Sequence, residues 1–415
     1  MTSEHTIDTR VDHLFRHESG RLVASLVAIF GPSRIDLIED VVQESLVEAL
    51  RHWRFHGVPE NPTAWLTQVG KRRALDVLLR DTTLRRHERD LKARVERLHE
   101  RSNHDGLDDQ LRLMFLCCHP EVPIESRVPL TLKLVGGMGM GEIARAYLVT
   151  EPAMAQRLVR AKRAIRDQGI SLDMPEESEL PGRLHSVLQT VYLLFNEGYA
   201  AGEGDAVIQR DRLEEACRLG LMLVRDARTA SPAAHALLAL MLFHASRLDA
   251  RCDGSELLLL EDQDRDRWDR ALIQQGFRHL GLAQAGAELT TFHLEAGIAA
   301  EHTRAASFDQ TDWSVIERLY DMLYTNAPSP VVGLNRAVAI AMVHGPDAGL
   351  EALDEIGAPR GYVHHAIVRG ELLRRAGRTE EAREQLRLAQ QMPSSVPQRA
   401  LIERRLTELG GTQPG

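Results

Sequence analysis

The chain has 415 residues, 43% hydrophobic and 27% charged, with a formal net charge of −9. That length is too great for one hydrophobic core and implies two or more domains, and the composition is that of an ordinary soluble globular protein. The four cysteines, Cys117, Cys118, Cys217 and Cys252, have no Cys-x-x-Cys spacing and suggest neither a disulfide framework nor a tetrahedral zinc site. The opening MTSEHTIDTRVDHLF lacks an apolar signal core and no run of about 18 apolar residues follows, so a cytoplasmic protein is expected.

Aromatic residues make up only 5%, while Ala, Leu and Arg recur at helical spacing and no Asn-Gly hairpin signal appears, which predicts an all-α fold. Residues 10–80 read as helices, broken at HGVPENP (56–62), where Pro62 opens the next helix. A charged helical stretch from Leu84 to His99 and a polar turn, SNHDG (102–106), follow. Residues 109–168 form a second helical unit, and GISLDMPEESELPG (169–182) has the composition of a linker.

From Arg183 to about Leu409 the pattern is helix after helix. GPDAGLEALDEI (345–356) and GRTEEAREQLRLA (377–389) align with a Gly-to-Gly spacing of 32 residues, each with a small residue, Ala348 or Ala382, expected on the inner face. A helix–turn–helix period near ~34 residues is the tetratricopeptide signature, and such pairs stack into a solenoid with an inner groove. An unrelated helical bundle is the alternative. Charge is uneven: residues 1–170 hold 26 Lys+Arg against 24 Asp+Glu, and the remainder 25 against 36. The acidity belongs to the C-terminal part and does not oppose a nucleic-acid site nearer the N-terminus.

One stretch, EIARAYLVTEPAMAQRLVRAKRAIR (142–166), concentrates basic residues on a short helix. Thr150 suits an N-cap and Pro152 the first turn. At helical spacing Met154, Leu158, Ala161 and Ile165 form one stripe, Gln156, Arg160 and Arg163 the opposite face, and Arg157 and Lys162 its flanks. With Ile143, Ala144 and Tyr147 turned inward on a preceding helix, this reads as a helix-turn-helix, or as a solvated Arg face on an ordinary helix. Arg forks onto guanine and Gln onto adenine in a major groove, and flanking cations hold phosphate. Earlier, NPTAWLTQVGKRRALDVLLRDTTLRRH (61–87) gathers Lys71, Arg72, Arg73, Arg80, Arg85 and Arg86 near Trp65. Aromatic plus basic residues suit a single strand, against the alternative of a core tryptophan beside a solvated charge run.

On these motifs, residues 10–168 resemble a bacterial sigma factor of the extracytoplasmic-function group within the sigma-70 class. DLIEDVVQESLVEALRHW (36–53) resembles the helix that docks on core RNA polymerase, NPTAWLTQVGKRRALDVLLR the −10 reader, and residues 142–165 the −35 reader. The turn position usually held by glycine is Leu148. LRLMFLCCHP, LLFNEGYAAG and LLLLEDQDRDRWDRA extend the resemblance to the subgroup with a C-terminal tetratricopeptide-like extension.

The resemblance implies region 2 over 10–82, a linker over 83–108, region 4 over 109–168, a linker over 169–182 and a regulatory solenoid over 183–410. It places Asp36, Glu39, Asp40, Gln43 and Glu44 on core polymerase, and Asn61, Trp65, Lys71, Arg72, Arg73 and Asp76 at the −10 element, where the HGVPENP loop holds a flipped base. It places Gln156, Arg157, Arg160 and Arg163 on −35, with Thr150 and Lys162 on phosphate. Core polymerase and promoter DNA are thus the implied partners, with a signalling protein or an intramolecular contact for the solenoid.

Other features point away from catalysis. GGMGMG (136–141) lacks a preceding strand and a following Gly-Lys-Ser/Thr, and no nucleophile elbow or His-Glu-x-x-His occurs, so no enzyme, cofactor or metal is expected. EDQDRDRWD (261–269) begins like a calcium loop but has Arg267 where glycine belongs, leaving a solvated helix-start cluster or an acidic segment for an Arg-rich groove. CCH (117–119) reads as buried thiols, and Asn196 with Glu197 as a contact to the sigma domains or a capped helix end. The competing function is a conventional helix-turn-helix regulator with a tetratricopeptide effector domain.

Overall fold

Apolar residues three and four apart drive nearly every segment into helix. The computed structural model describes residues 18–80, 106–147, 149–200, 206–253, 256–357, 362–392, 394 and 396–410. The expected stretch Leu84–His99, the turn at 102–105, the basic residues Arg85 and Arg86, and the turn position Leu148 lie outside the described residues. The fold is all-α, as the periodicity implied; the described residues add one two-residue antiparallel pair, β1 (Cys252–Asp253) with β2 (Glu256–Leu257).

Two compact units form. The first holds α1 (residues 18–30), α2 (Ile35–His56), α3 (Pro62–Leu79), α4 (Gly106–Cys117), α5 (Ile124–Leu134), α6 (Met140–Ala146), α7 (Glu151–Asp167), α8 (Leu180–Ala200) and most of α9 (Ala206–Arg225). Gly31, at φ 88°, turns the chain out of α1 into a Pro32–Arg34 3-10 turn, and Gly57, at φ 77°, ends α2. Asn61 caps α3, its Oδ1 accepting from the Ala64 amide at 3.0 Å, with Pro62 at the first helical position. Leu22, Leu26, Ile38, Val42, Trp53, Leu66 and Ala74 are buried along these three helices.

Helix α1 also crosses the end of α5. A Cβ on Gly20 would lie 2.0 Å from the Val135 carbonyl oxygen, so only glycine permits the crossing. Further on, Arg183 of α8 donates to the Phe115 carbonyl, and Arg218 of α9 donates to Gln110 Oε1 at 3.0 Å while forking onto Glu215. Cys117 and Cys118 are buried as expected. Burial and the neighbouring Cys118 raise the Cys117 thiol, and burial pushes Cys118 up to about 11.

The second unit is built of antiparallel helices: α10 (Pro232–Ala245), α11 (Leu248–Arg251), α12 (Arg270–Ala283), α13 (Thr291–Arg304), α14 (Trp313–Asn326), α15 (Pro330–His344), α16 (Pro346–Ile356), α17 (Val363–Arg375), α18 (Thr379–Gln390) and α19 (Val396–Gly410). Helix α15 pairs with α16, and α17 with α18. Gly345 and Gly377 sit at φ 97° and 76° in the turns of these pairs, where the 32-residue repeat placed them. The inner-face expectation holds for Ala382, which is fully buried, but not for Ala348, which is half-buried. Its neighbour Gly349 makes the close contact instead: a Cβ there would fall 2.5 Å from the Ala341 Cβ. One core joins Leu334, Leu353, Ala366, Leu373, Leu386 and Ile402.

Candidate docking and nucleic-acid interface

Helix α2 has two faces. Ile35, Ile38, Val41, Val42, Ala49 and Trp53 are buried, while Asp36, Asp40, Gln43 and Glu44 are exposed and Glu39 is half-buried. Five polar groups thus share one outward stripe, and the stripe continues into apolar Val47 and Leu50, exposed at 46% and 45%. Phe55 and Val58, at the C-terminal end of α2 and in the loop after it, are also exposed. Sequence reasoning followed charge alone and passed over these apolar residues; the spacing of Val47 and Leu50, three and six residues beyond Glu44, was the available signal.

Helix α3 divides its expected site residues. Arg72 and Asp76 are exposed and Asn61 is exposed at the cap, but Lys71 is turned inward at 6% exposure and does not share their surface. Helical geometry explains the departure: Lys71 falls on the same buried stripe as Thr67, Ala74 and Leu78, at spacings of three and four. Trp65 is half-buried and stacks on the exposed His52, ring centroids 5.4 Å apart and 19° between planes. His56 also stacks on His52, at 4.2 Å, and Trp53 meets Trp65 at a tilt of 59° with centroids 5.5 Å apart. Neither histidine stood out in the sequence, since their column forms only when α2 meets α3.

Arg73 faces α2 rather than open solvent. Its Nε and Nη2 donate to Glu48 Oε2 at 2.9 and 2.6 Å, and its Nη1 to Glu44 Oε2 at 2.7 Å. The Glu48 hydrogen bond is the largest reason that the guanidinium is held above its ordinary pKa. Arg72 reaches Glu48 at 3.6 Å. One expected −10 cation is therefore tied to Glu44, an expected polymerase contact.

Helix α7 follows the sequence closely. Met154, Leu158, Ala161 and Ile165 are all buried, and Gln156, Arg160 and Arg163 are exposed on the opposite face. Ile143 and Ala144 of α6 are buried behind it. Glu142 accepts from the Gly139 amide at 2.7 Å and fixes the start of α6. Thr150 stands at the N-cap of α7 but makes no capping bond, leaving its hydroxyl on the exposed end. Arg157 lies over the Tyr147 ring, 6.0 Å from its centroid.

Lys162 is the exception on this helix. Its ammonium donates to Asp36 Oδ1 and Glu39 Oε2, both at 2.7 Å, and Arg166 stands 3.8 Å from Asp36. Burial lowers the Lys162 pKa, but Glu39 and Asp36 together more than offset it and hold the ammonium above its ordinary value. A residue expected on DNA phosphate and two expected on polymerase neutralise one another across α7 and α2. No composition or periodicity argument could have paired positions so far apart in sequence.

With this geometry established, the relatives can be compared. The chain matches sigma-70 region 2 over residues 14–89, the span that carries α1, α2 and α3. The chain is a sigma factor of the sigma-70 class. It is an RNA polymerase specificity factor for transcription initiation, and region 2 binds core polymerase and promoter DNA. Residues 183–284 of this sigma factor match a family of unknown function (DUF6596). It is also 38% identical over 385 residues to an uncharacterized protein of Rhizobium meliloti strain 1021, with 90% of each chain covered, and the two belong to one family. No solved structure matches the chain. No helix among the described residues is long and apolar enough to cross a membrane.

Proposed function

We propose that this sigma factor is of the extracytoplasmic-function type, acts in the cytoplasm without enzymatic activity of its own, and divides promoter recognition between two surfaces. The stripe of α2 from Asp36 to Glu44, extended by Val47 and Leu50, docks on core polymerase. Asn61, Trp65, Arg72 and Asp76 of α3 meet the −10 element as its strands separate, with the His56–His52–Trp65 column offering faces for unstacked bases. Gln156, Arg157, Arg160 and Arg163 of α7 read −35, with Thr150 on phosphate. The C-terminal helix array is a tetratricopeptide-like extension that regulates the two sigma regions.

The observation that carries this reading is the outward face of α7. Its apolar stripe is wholly buried while Gln156, Arg160 and Arg163 stand clear of the protein. The test is run-off transcription on genomic DNA with protein and sigma-free core polymerase, mapping the 5′ ends. The reading expects start sites sharing two spaced motifs, and an Arg160→Ala/Arg163→Ala variant that still joins core polymerase but loses the upstream motif. Start sites without a shared upstream motif, or a variant indistinguishable from wild type, would contradict it.

A further inference from the structure

Helices and loops of the C-terminal unit line a half-open pocket of about 370 Å³. That is the lower end of the range of small-molecule sites. Its walls are largely apolar and aromatic, with Phe308, Trp313, Val338 and Met342 of α15, Ile367 and Leu401 among the lining residues. Leu259, Leu260 and Glu261, from the segment before α12, also line it.

Glu261 decides what kind of occupant fits. Its Oε2 accepts from Arg375 Nη2 at 2.7 Å and its Oε1 from Arg405 Nη2 at 3.1 Å. The same two guanidiniums meet Glu371, Arg375 Nε at 3.1 Å and Arg405 Nε at 3.4 Å. Two carboxylates and two guanidiniums alternate in a closed ring at the cavity edge, and each charge has an opposite partner on both sides. A charged ligand would compete with that ring, whose side chains are 12–30% exposed, and parting one member from its partner leaves a partly shielded charge poorly compensated. His302, also on the lining, adds no charge at neutral pH, because burial first, and then Arg247 and Arg265, push it down to about 3.

The pocket is apolar and half open, with one exposed amide, that of Asn335, on its lining. We propose that this cavity binds a small, uncharged, mostly aromatic or aliphatic molecule bearing a polar group for Asn335, and that the C-terminal unit is a ligand-receiving unit. Because the bound molecule lies against Leu259 and Leu260, occupancy is felt directly by the segment that carries Glu261.

The test uses the full chain and 1-naphthol, with 1-naphthoate as a charged probe of nearly the same shape, in isothermal titration calorimetry. The expected result is one 1-naphthol per chain, with 1-naphthoate at least tenfold weaker. Val338→Trp and Met342→Trp, which fill the pocket from different turns of α15, should each weaken 1-naphthol at least tenfold while leaving the circular-dichroism melting curve close to wild type. Trp313→Phe should remove the fluorescence quenching that accompanies binding. Failure of 1-naphthol to bind at millimolar concentration, equal affinity for the charged probe, or full binding by folded, pocket-filled variants would each overturn the proposal. A variant that melts early is replaced by Ile367→Trp on the opposite wall, judged by the same criterion.

Discussion

Replacing Lys162 with methionine keeps a long unbranched side chain but removes the ammonium held by Asp36 and Glu39. The Glu39 contact is shielded, both side chains being below a fifth exposed, whereas Asp36 is more than half exposed. A shielded charge-assisted hydrogen bond contributes about 1.5–3 kcal/mol, and an exposed pair about 0–1 kcal/mol. Part of that gain is offset by desolvating the ammonium, which leaves a net contact of about 1.4 kcal/mol, or a factor of ten in an equilibrium. Asp36 and Glu39 belong to the stripe proposed to dock on polymerase, and on that proposal this contact competes with docking in wild type. Lys162→Met is therefore expected to tighten binding to sigma-free core polymerase, measured without DNA, by up to about tenfold. A Lys162→Met/Glu39→Gln double variant should show a smaller gain than the sum of the single changes, because the two residues share one interaction. Unchanged or weaker polymerase affinity in a folded Lys162→Met protein would refute the competition.

The same contact has a defined pH range. Because the folded Lys162 pKa lies above its ordinary value of 10.5, its stabilising effect is fully present below that value and is lost as pH rises through the folded pKa. Amide exchange in α7 should accordingly show no loosening by lysine deprotonation between pH 6 and 9; an opening inside that window with Lys162 as its cause would count against the ion pairs. Gly20→Ala should destabilise the first unit by about 1–3 kcal/mol through overpacking against Val135, seen as early melting of α1 and α5 in hydrogen exchange. Trp53→Ala, which removes a buried ring, should cost about 3–5 kcal/mol, whereas Trp65→Ala on the half-buried stack should cost clearly less and show its effect in promoter opening. The thiols of Cys118 and Cys217, pushed up by burial to about 11 and about 12, and that of Cys117, also raised, should resist maleimide at pH 8 until denaturant is added.

What the sequence made legible was local. The stripe of Met154, Leu158, Ala161 and Ile165 could be read because one helical period fixes which residues share a face, and the turn glycines Gly345 and Gly377 because a repeat fixes where a chain reverses. Lys71 shows the limit: three consecutive basic residues look alike in sequence, yet 100° per residue sends one of them inward. Ion pairs such as Arg73–Glu48 and Lys162–Glu39 depend on how two helices cross, which no spacing rule encodes. The acidic cluster at 261–269 lay between these cases. Asp269 caps α12, as a helix-start cluster would, and Glu261 and Asp262 also find an Arg-rich surface, on Arg375, Arg404 and Arg405 of their own unit. The cavity they border was beyond sequence reasoning altogether, because its walls come from segments scattered between Leu259 and Arg405.

The most direct measurement of the central claim is size-exclusion chromatography of the purified chain with sigma-free core RNA polymerase, comparing wild type, Lys162→Met and Asp40→Lys/Glu44→Lys. Docking through α2 predicts a one-to-one complex for wild type, a tighter one for Lys162→Met, and none for the charge-reversed protein. If the charge-reversed protein formed the complex as well as wild type, or if Lys162→Met formed none, polymerase docking through the exposed stripe of α2 would be contradicted.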